Sequence, residues 1–282
     1  MKKLWVGIAA LITVIIGVLG KVYRDTYIFK QEKVAFHSGK LPKNATFTIM
    51  QISDLHNRVF GSDNSRLVRM VTAANADIIV LTGDLIDRKT KSFEHVFSLV
   101  EQLTAIHPHV YFVTGNHEWG NPATSIFLHG LRERNVTIMD NRNVQFTKNG
   151  ISVNLVGVAD ASAEFENLDE AFRQMNTDHY TVLLSHTPSI TEIYEQIPAD
   201  LILSGHTHGG QVRFPLIGAL VSPDRGLFPK LDKGTYQLGA GLYLYIDSGL
   251  GTTRLPIRFL NQSQLSLITI TGTRERVSSP RA

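Results

Sequence analysis

The sequence predicts an α/β fold: two mixed β-sheets that face each other as a layered sandwich, with helices on the outer sides. From Phe47 to Ser204, short apolar runs that are typical of buried strands alternate with segments of helical periodicity. After Gly205 the chain is rich in glycine, proline and short strand-like runs, which indicates hairpins that complete the second sheet. Polar residues follow several of the apolar runs directly, which favours a ligand site at one sheet edge.

The first residues are predicted to form a transmembrane signal anchor, residues 1–25. Leu4 to Gly20 contain no charged residue, and these 17 positions span roughly 26 Å as a helix, close to the thickness of a thin hydrocarbon core. Two alternatives are a cleaved signal peptide, with Val18-Leu19-Gly20 as the cleavage region, and a buried core helix. An all-round apolar surface argues against the core helix.

The charges on either side of this segment do not decide its orientation. Lys2 and Lys3 precede it, whereas Lys21, Arg24 and Lys30 follow it. We expect a single-pass protein of the cell membrane in which the domain after this segment lies outside the cytoplasm.

Residues 45–272 are predicted to form one domain, followed by a flexible tail, residues 273–282. The predicted strands and helices within the domain alternate in chain order. The strands are 46–52, 77–82, 110–114, 153–158, 181–185 and 200–204, and the helices are 65–75, 93–105, 124–134 and 168–175.

Composition excludes some classes of function. The formal net charge is +3, and much of it lies at the two ends of the chain, so we expect no nucleic-acid partner. The chain contains no cysteine, which excludes disulfides, thiolate zinc sites and cysteine nucleophiles.

Five of the predicted strands end in a polar tip, and the tips are expected to meet at the carboxyl edge of the sheets. Oxygen and imidazole donors without sulfur suit Mn, Zn or Fe. Their number is too large for one ordinary transition ion, but it suits two ions about 3.5–4 Å apart that share a carboxylate. The sequence therefore predicts a dinuclear metal site with the following ligands: Asp54, His56, Asp84, Asn116, His186, His206 and His208.

These tips resemble the signature blocks of the calcineurin-like metallophosphoesterases. The matching blocks are Asp54-Leu55-His56, Gly83-Asp84-Leu85-Ile86-Asp87, Gly115-Asn116-His117-Glu118, His186 and Gly205-His206-Thr207-His208. The runs 205–211 and 249–258 are similar to those of a membrane-associated bacterial subgroup. The resemblance covers roughly residues 47–271, and no signature block is missing.

The resemblance implies a role for each matching residue. Asp54, His56 and His208 would hold one ion, and Asn116, His186 and His206 the other. Asp84 and a hydroxide nucleophile would bridge the two ions. His117 would act on the scissile phosphate as general acid or electrostatic stabiliser, Asp87 would orient His117, and Arg88 would bind substrate phosphate.

The expected function is hydrolysis of a phosphate ester or pyrophosphate, with phosphodiesters and lipid-linked substrates at the membrane as the first candidates. Two alternatives stay open: a non-catalytic, membrane-anchored metal-binding scaffold, and a metal hydrolase that acts on a non-phosphorus bond. The apolar stretch 212–233 is open to two interpretations, a buried hairpin or an apolar loop beside the site that contacts lipid.

Overall fold

A computed structural model describes residues 2–222 and 226–273. The helices are α1 Lys2–Tyr27, α2 Ser65–Ala74, α3 Glu94–Ile106, α4 Asn116–Trp119, α5 Thr124–Glu133, α6 Leu168–Ala171 and α7 Ile190–Ile193. The strands are β1 Lys30–Ser38, β2 Thr46–Ile52, β3 Ile78–Thr82, β4 Val110–Val113, β5 Thr137–Ile138, β6 Arg142–Lys148, β7 Ile151–Gly157, β8 Tyr180–Leu184, β9 Leu201–Ser204, β10 Arg213–Phe214, β11 Gly218–Ala219, β12 Val221–Ser222, β13 Gly226–Leu227, β14 Gly234–Gln237, β15 Tyr243–Ile246 and β16 Gln264–Gly272.

Two six-stranded mixed sheets form the body of the fold. The first has the order β1-β16-β2-β3-β4-β5, and the second has the order β14-β15-β9-β8-β7-β6. In the first sheet β16 runs antiparallel to β2, while β2, β3, β4 and β5 are mutually parallel. In the second sheet β7, β8, β9 and β15 are parallel, and β6 and β14 are the antiparallel outer strands.

Apolar side chains fill three layers between and outside the sheets. One cluster lies between the sheets and joins Phe47 and Ile49 of the first to Val153 and Leu203 of the second. A second cluster packs α2, α3 and α5 onto the outer face of the first sheet, and a third covers the outer face of the second sheet with α6 and α7. Burial on both faces explains why the central strands are apolar throughout. The predicted α/β sandwich is confirmed.

Several elements differ from the predictions; among them, the strands β5 and β6 and the short helices α4 and α7 were not predicted. The helix predicted over 168–175 ends after one turn, because the Asn143 side chain donates hydrogen bonds to the carbonyls of Ala171 and Arg173 (2.6 and 3.1 Å). The strand Lys30–Ser38 was not predicted, although it pairs in parallel with β16 along its whole length. It lies before residue 45, where we predict the domain to begin. The first sheet therefore includes residues that directly follow α1. Of the predicted tail, residues 274–282 lie outside the described part of the chain.

The helix α1 is the one described helix that is long and apolar enough to cross a membrane. Its apolar side chains are exposed, so the interpretation as a buried core helix is wrong; a membrane anchor and a signal sequence both fit its length and composition. Only its last turn packs onto the domain. There the Thr26 hydroxyl accepts a hydrogen bond from the Arg258 N–H (2.8 Å), and the Asp25 carbonyl accepts one from the Ser263 N–H (2.8 Å).

Candidate metal centre

The predicted ligands lie at the carboxyl ends of strands from both sheets, where the two sheets meet. Asp54 and His56 follow β2, Asp84 follows β3, and Asn116 begins α4 directly after β4. The remaining ligands come from the second sheet, with His186 after β8 and His206 and His208 after β9. All of these side chains are buried. The fold therefore brings together every residue of the predicted ligand set.

The backbone at these positions is unusual. Asp54, His56, Asp84, His206 and His208 have φ angles between 49° and 68°, in the left-handed region that few non-glycine residues adopt. Such conformations persist only where the surrounding structure enforces them, and they cluster at functional sites. Each of these turns aims a polar side chain into the space between the sheets.

Glycines give the turns the space they need. A Cβ on Gly205 would collide with Ser53 Oγ and with the Asp54 carboxylate, and a Cβ on Gly115 would collide with the Asp84 carboxylate. Alanine at either position would therefore displace a predicted ligand.

One group of donors consists of Asp54, His56 and His208. His56 Nε2 and His208 Nε2 are 3.1 Å apart, and His208 Nε2 is 3.7 Å from Asp54 Oδ1. Two ligands at about 2.1 Å from one ion are roughly 3.0–3.4 Å apart in octahedral or tetrahedral geometry. The spacing and the chemistry of this donor set fit one divalent cation.

A second group of donors lies beside the first. His206 Nδ1 is 3.1 Å from Asn116 Oδ1 and 3.3 Å from His186 Nε2, so three groups that can each offer a lone pair converge at one place. Asp84 Oδ2 is 3.2 Å from His186 Nε2 and 3.7 Å from His56 Nε2. The Asp84 carboxylate thus lies between the two groups, as a ligand shared by two cations would.

Hydrogen bonds from the outer side orient the imidazole rings. His186 Nδ1 is 2.8 Å from the Thr82 carbonyl, and His56 Nδ1 is 2.7 Å from Asp87 Oδ1. Both partners accept a hydrogen bond from the Nδ1–H group, which leaves the Nε2 lone pair directed at the centre. This is the tautomer that a metal ligand requires.

The electrostatics of the centre favour an ionised carboxylate at Asp84 and a neutral imidazole at His208. Burial opposes the ionisation of Asp84, but the attraction of His186, His56 and His117 outweighs it and holds the pKa of Asp84 well below its usual range. Burial and the neighbouring His56 and Arg258 lower the pKa of the His208 imidazole well below its usual value. Ionised oxygen and neutral nitrogen are the forms that bind divalent cations.

Four of the donors, Asp84, Asn116, His206 and His208, line a cavity of about 370 Å³, which we call the polar pocket; these four residues are its donor floor. His117 stands at its edge, with Nδ1 3.2 Å from Asp87 Oδ1 and its ring 4.7 Å from the His56 ring, edge to face. The single carboxylate of Asp87 therefore contacts two imidazoles. Arg88 and Arg254 are exposed and line the same pocket, which gives it positive charge for an anionic substrate. Arg254 was not predicted as a site residue.

Glu118 is a second residue that we did not predict to take part in the site. It belongs to the matching block after β4. Its buried carboxylate accepts hydrogen bonds from the backbone N–H groups of Asp84 and Gly115 (both 2.8 Å) and of Leu85 and Ile86 (2.7 and 3.2 Å). Burial and the negative charge of Asp84 raise the pKa of Glu118 to about 7. Glu118 thus holds together the two loops that carry Asp84 and Asn116.

Arg258 and Asn261 support the loop that carries His208. Both donate to the His208 carbonyl, Arg258 Nη1 at 3.3 Å and Asn261 Nδ2 at 2.7 Å. The fully buried Arg258 guanidinium also donates to the carbonyls of Ser248 and Gly251. The backbone N–H of Arg258 also donates to the Thr26 hydroxyl in the last turn of α1. Arg258 therefore connects the base of α1 to the loop that carries His208.

Comparison with known proteins agrees with this geometry. Residues 47–210, more than half of the chain, match the calcineurin-like phosphoesterase family. The chain belongs to this family. As a calcineurin-like phosphoesterase it is a metallophosphoesterase, a class of enzyme that hydrolyses phosphoesters, and the buried histidine and aspartate clusters are consistent with a dimetal site.

Relatives share this domain over most of the chain. An uncharacterized metallophosphoesterase of Aquifex aeolicus (strain VF5) is 31% identical over 259 residues, which cover 88% of this chain and 94% of the relative. A transmembrane protein with metallophosphoesterase domain from Bos taurus is 30% identical over 242 residues, which cover 80% of this chain and 53% of that protein.

Among solved structures, the 5'-nucleotidase precursor from Thermus thermophilus has a similar fold, with a TM-score of 0.50 and 15% identity. The match covers 73% of this chain and 49% of that chain, so it spans about half of the solved protein. At this identity the likeness concerns the fold alone.

Proposed function

We propose that this phosphoesterase hydrolyses a phosphodiester or a lipid-linked phosphate ester at a membrane, with two divalent cations held by the predicted ligands. The observation that carries the dinuclear site is the position of Asp84 Oδ2 between His56 Nε2 (3.7 Å) and His186 Nε2 (3.2 Å). Asp54, His56 and His208 would hold one cation, and Asn116, His186 and His206 the other. When bound, such a pair lowers the pKa of a shared water and neutralises charge on phosphoryl oxygens.

The side chains around the pocket have separate tasks in this proposal. His117 donates a proton to the leaving oxygen or stabilises its charge, because its side chain lines the polar pocket together with Asp84 and Asn116. Asp87 fixes the His117 ring through the contact with Nδ1 (3.2 Å). Burial by itself raises the pKa of Asp87, but hydrogen bonds with His117 and His56 outweigh burial and keep the carboxyl ionised. Arg88 binds the substrate phosphate as a charge-assisted donor.

Substitution of the shared carboxylate tests this proposal. We expect Asp84→Asn and His117→Ala each to abolish metal-dependent hydrolysis of bis-p-nitrophenyl phosphate, while circular dichroism spectra stay native. Matched controls are Asp178→Asn and His129→Ala, whose side chains are on the surface. Wild-type turnover in both Asp84→Asn and His117→Ala would refute the mechanism.

Metal content distinguishes an enzyme from a scaffold. A structural site usually closes around one ion with four ligands, whereas this cluster offers more donors and leaves His117 beside them. We expect two exchangeable ions per chain by elemental analysis, and Mn, Zn and Fe are the candidates. One tightly held ion without turnover would favour the scaffold. A panel that includes non-phosphorus esters tests the remaining alternative.

The membrane location is supported by α1, whose apolar side chains are exposed and whose base is packed onto the domain. We place the protein in the membrane-associated bacterial subgroup, with the catalytic domain outside the cytoplasm. A C-terminal alkaline phosphatase fusion, which is active only outside the cytoplasm, tests the orientation. Activity of a cytoplasm-only reporter fused at the C-terminus would show the opposite orientation and refute this part of the proposal.

A further inference from the structure

A second cavity, of about 350 Å³, opens beside the polar pocket. We call it the apolar groove, because Val212, Leu220, Val221 and Leu255 form its walls. Thr253 and Arg254 line both the groove and the polar pocket, so the two cavities share one border. A molecule with a phosphate in the polar pocket could therefore extend a second moiety past Thr253 and Arg254 into the groove.

The groove is tied to the loop that carries the metal ligands. A Cβ on Gly210, two residues after His208, would collide with the side chain of Ala219 in β11. The Arg213 guanidinium donates to the Gly209 carbonyl (3.0 Å) and pairs with Asp232 (2.6 Å). These contacts fix the groove wall against the ligand loop, so the groove is a built part of the site.

The segment that forms this wall presents apolar side chains to solvent, contrary to the interpretation of 212–233 as a buried hairpin. Leu216 is fully exposed, Leu227 is 71% exposed and Phe228 is 59% exposed. Soluble surfaces seldom collect large apolar side chains in one place unless they meet a ligand, a partner or a membrane.

The base of α1 is joined to the same wall through one short segment. Arg258 contacts Thr26 of α1, and the next residue, Phe259, donates and accepts backbone hydrogen bonds with Gln211 and Arg213. The Phe259 ring also packs against the Phe214 ring, with centroids 6.5 Å apart. The last turn of α1 and the segment that forms the groove wall are thus connected through Arg258 and Phe259.

From this arrangement we infer that the apolar groove binds a hydrocarbon chain of the substrate itself while the phosphate occupies the polar pocket. The inference rests on the proposed phosphoesterase function and narrows its substrate to an amphiphile in which a hydrocarbon chain begins within a few bonds of the phosphorus. Arg254, at the shared border, lies where the charged group meets the chain.

Binding of alkyl phosphates tests the groove without requiring turnover. The full-length chain in nanodiscs is titrated by calorimetry with methyl phosphate and with octyl phosphate below its micelle concentration, and empty nanodiscs are used to subtract partition into lipid. We expect octyl phosphate to bind at least about tenfold more tightly, because burial of several methylene groups is worth more than one order of magnitude in affinity. In Val221→Asn and Leu255→Asn the ratio should fall towards one.

Leu238→Asn is the matched control, since Leu238 is 40% exposed but does not line the groove; it should keep the wild-type ratio. Equal affinity for the two phosphates in the wild type would overturn the inference, whether or not the protein hydrolyses phosphodiesters. A preference that persists in both groove variants would also overturn it and would assign the hydrocarbon to the bilayer. Failure of the proposed function would appear separately, as absent turnover of bis-p-nitrophenyl phosphate with an intact octyl preference.

Discussion

The polar pocket and the apolar groove share Thr253 and Arg254, yet their walls are built in opposite ways. The donor floor of the pocket consists of buried polar side chains, and the backbone of Asp84 and of His208 is held by hydrogen bonds with Glu118, Arg258 and Asn261. The groove is lined by apolar side chains beside the short strands β10 to β12 and by Leu255, and one of these side chains, Val221, is 52% exposed.

This difference determines how each region responds to change. A buried charge is stable only with its full set of partners, so the floor depends on contacts from several strands at once. Apolar side chains at a surface need only proximity to a chain-like ligand. We therefore expect changes in the floor to affect stability and chemistry together, and changes in the groove to affect only ligands that carry a hydrocarbon chain.

The largest effect is expected from Gly205→Ala. The added methyl group collides with Ser53 Oγ and the Asp54 carboxylate, so a predicted ligand must move. We expect the rate of phosphodiester hydrolysis to fall by about 100-fold or more, since a displacement near 1 Å at a reacting centre costs about that much. Overpacking should also lower the free energy of unfolding by about 1–3 kcal/mol, measured in urea.

Gly239→Ala is the control for this substitution, because a Cβ on Gly239 meets no atom within 4 Å. It should leave the rate unchanged and the free energy of unfolding within about 0.5 kcal/mol of the wild type. Unchanged turnover in Gly205→Ala would mean that Asp54 is not needed where the structure places it.

The sequence was sufficient to predict the central strands and the residues at their ends. The clearest example is β3, which is buried on both faces, so its apolar run is nearly unbroken and Asp84 stands out shortly after it. The strand β1 escaped prediction because it is an edge strand, with the polar sequence Lys30–Ser38 and several exposed positions. Charged edge strands carry little apolar signal.

The supports of the site could not be predicted, because they depend on which loops meet in space. Glu118 looks like an ordinary helix residue until the loop after β3 is placed against it. Asp247 follows β15 as a polar tip, just as Asp84 follows β3, but its carboxylate accepts hydrogen bonds from Gln264 and Ser266 on β16 instead of facing the donor groups. The sequence pattern predicts that a polar residue follows a strand. Which side chains that residue contacts depends on the order of the strands in the sheets.

A substitution of intermediate effect is Glu118→Gln. The amide would present N–H groups to two of the four backbone N–H donors that now donate to the carboxylate, and those donors would be left buried without partners. We expect a loss of about 3 kcal/mol in the free energy of unfolding, measured in urea, with weaker metal retention.

Glu133→Gln serves as the control, because its side chain is 61% exposed; it should change the free energy of unfolding by less than about 0.5 kcal/mol. If Glu118→Gln were as stable as this control, the two ligand loops would not depend on the carboxylate.

The smallest expected effect concerns pH and Asp247. Burial raises the pKa of this carboxyl to about 6 in the folded protein, although hydrogen bonds from Ser266, Gly249 and Gln264 lower it in part. The unfolded chain has a pKa near 3.8 at this position, so the folded state binds the proton more tightly between the two values. Stability from this group is therefore fully present below about pH 4 and is lost as the pH rises to about 6.

Asp247→Asn removes this titration, because an amide does not ionise in the range. We expect the difference in the free energy of unfolding between wild type and variant to change by about 2 kcal/mol between pH 4 and pH 6, to the disadvantage of the wild type as the pH rises. The two proteins share every other ionisable group, so the pH dependence of the difference reports on Asp247 and on its electrostatic coupling to Asp54. Asp178→Asn, an exposed control, should give a flat difference. If the difference in the free energy of unfolding were independent of pH for Asp247→Asn as well, the Asp247 carboxyl would be as well solvated as a surface group.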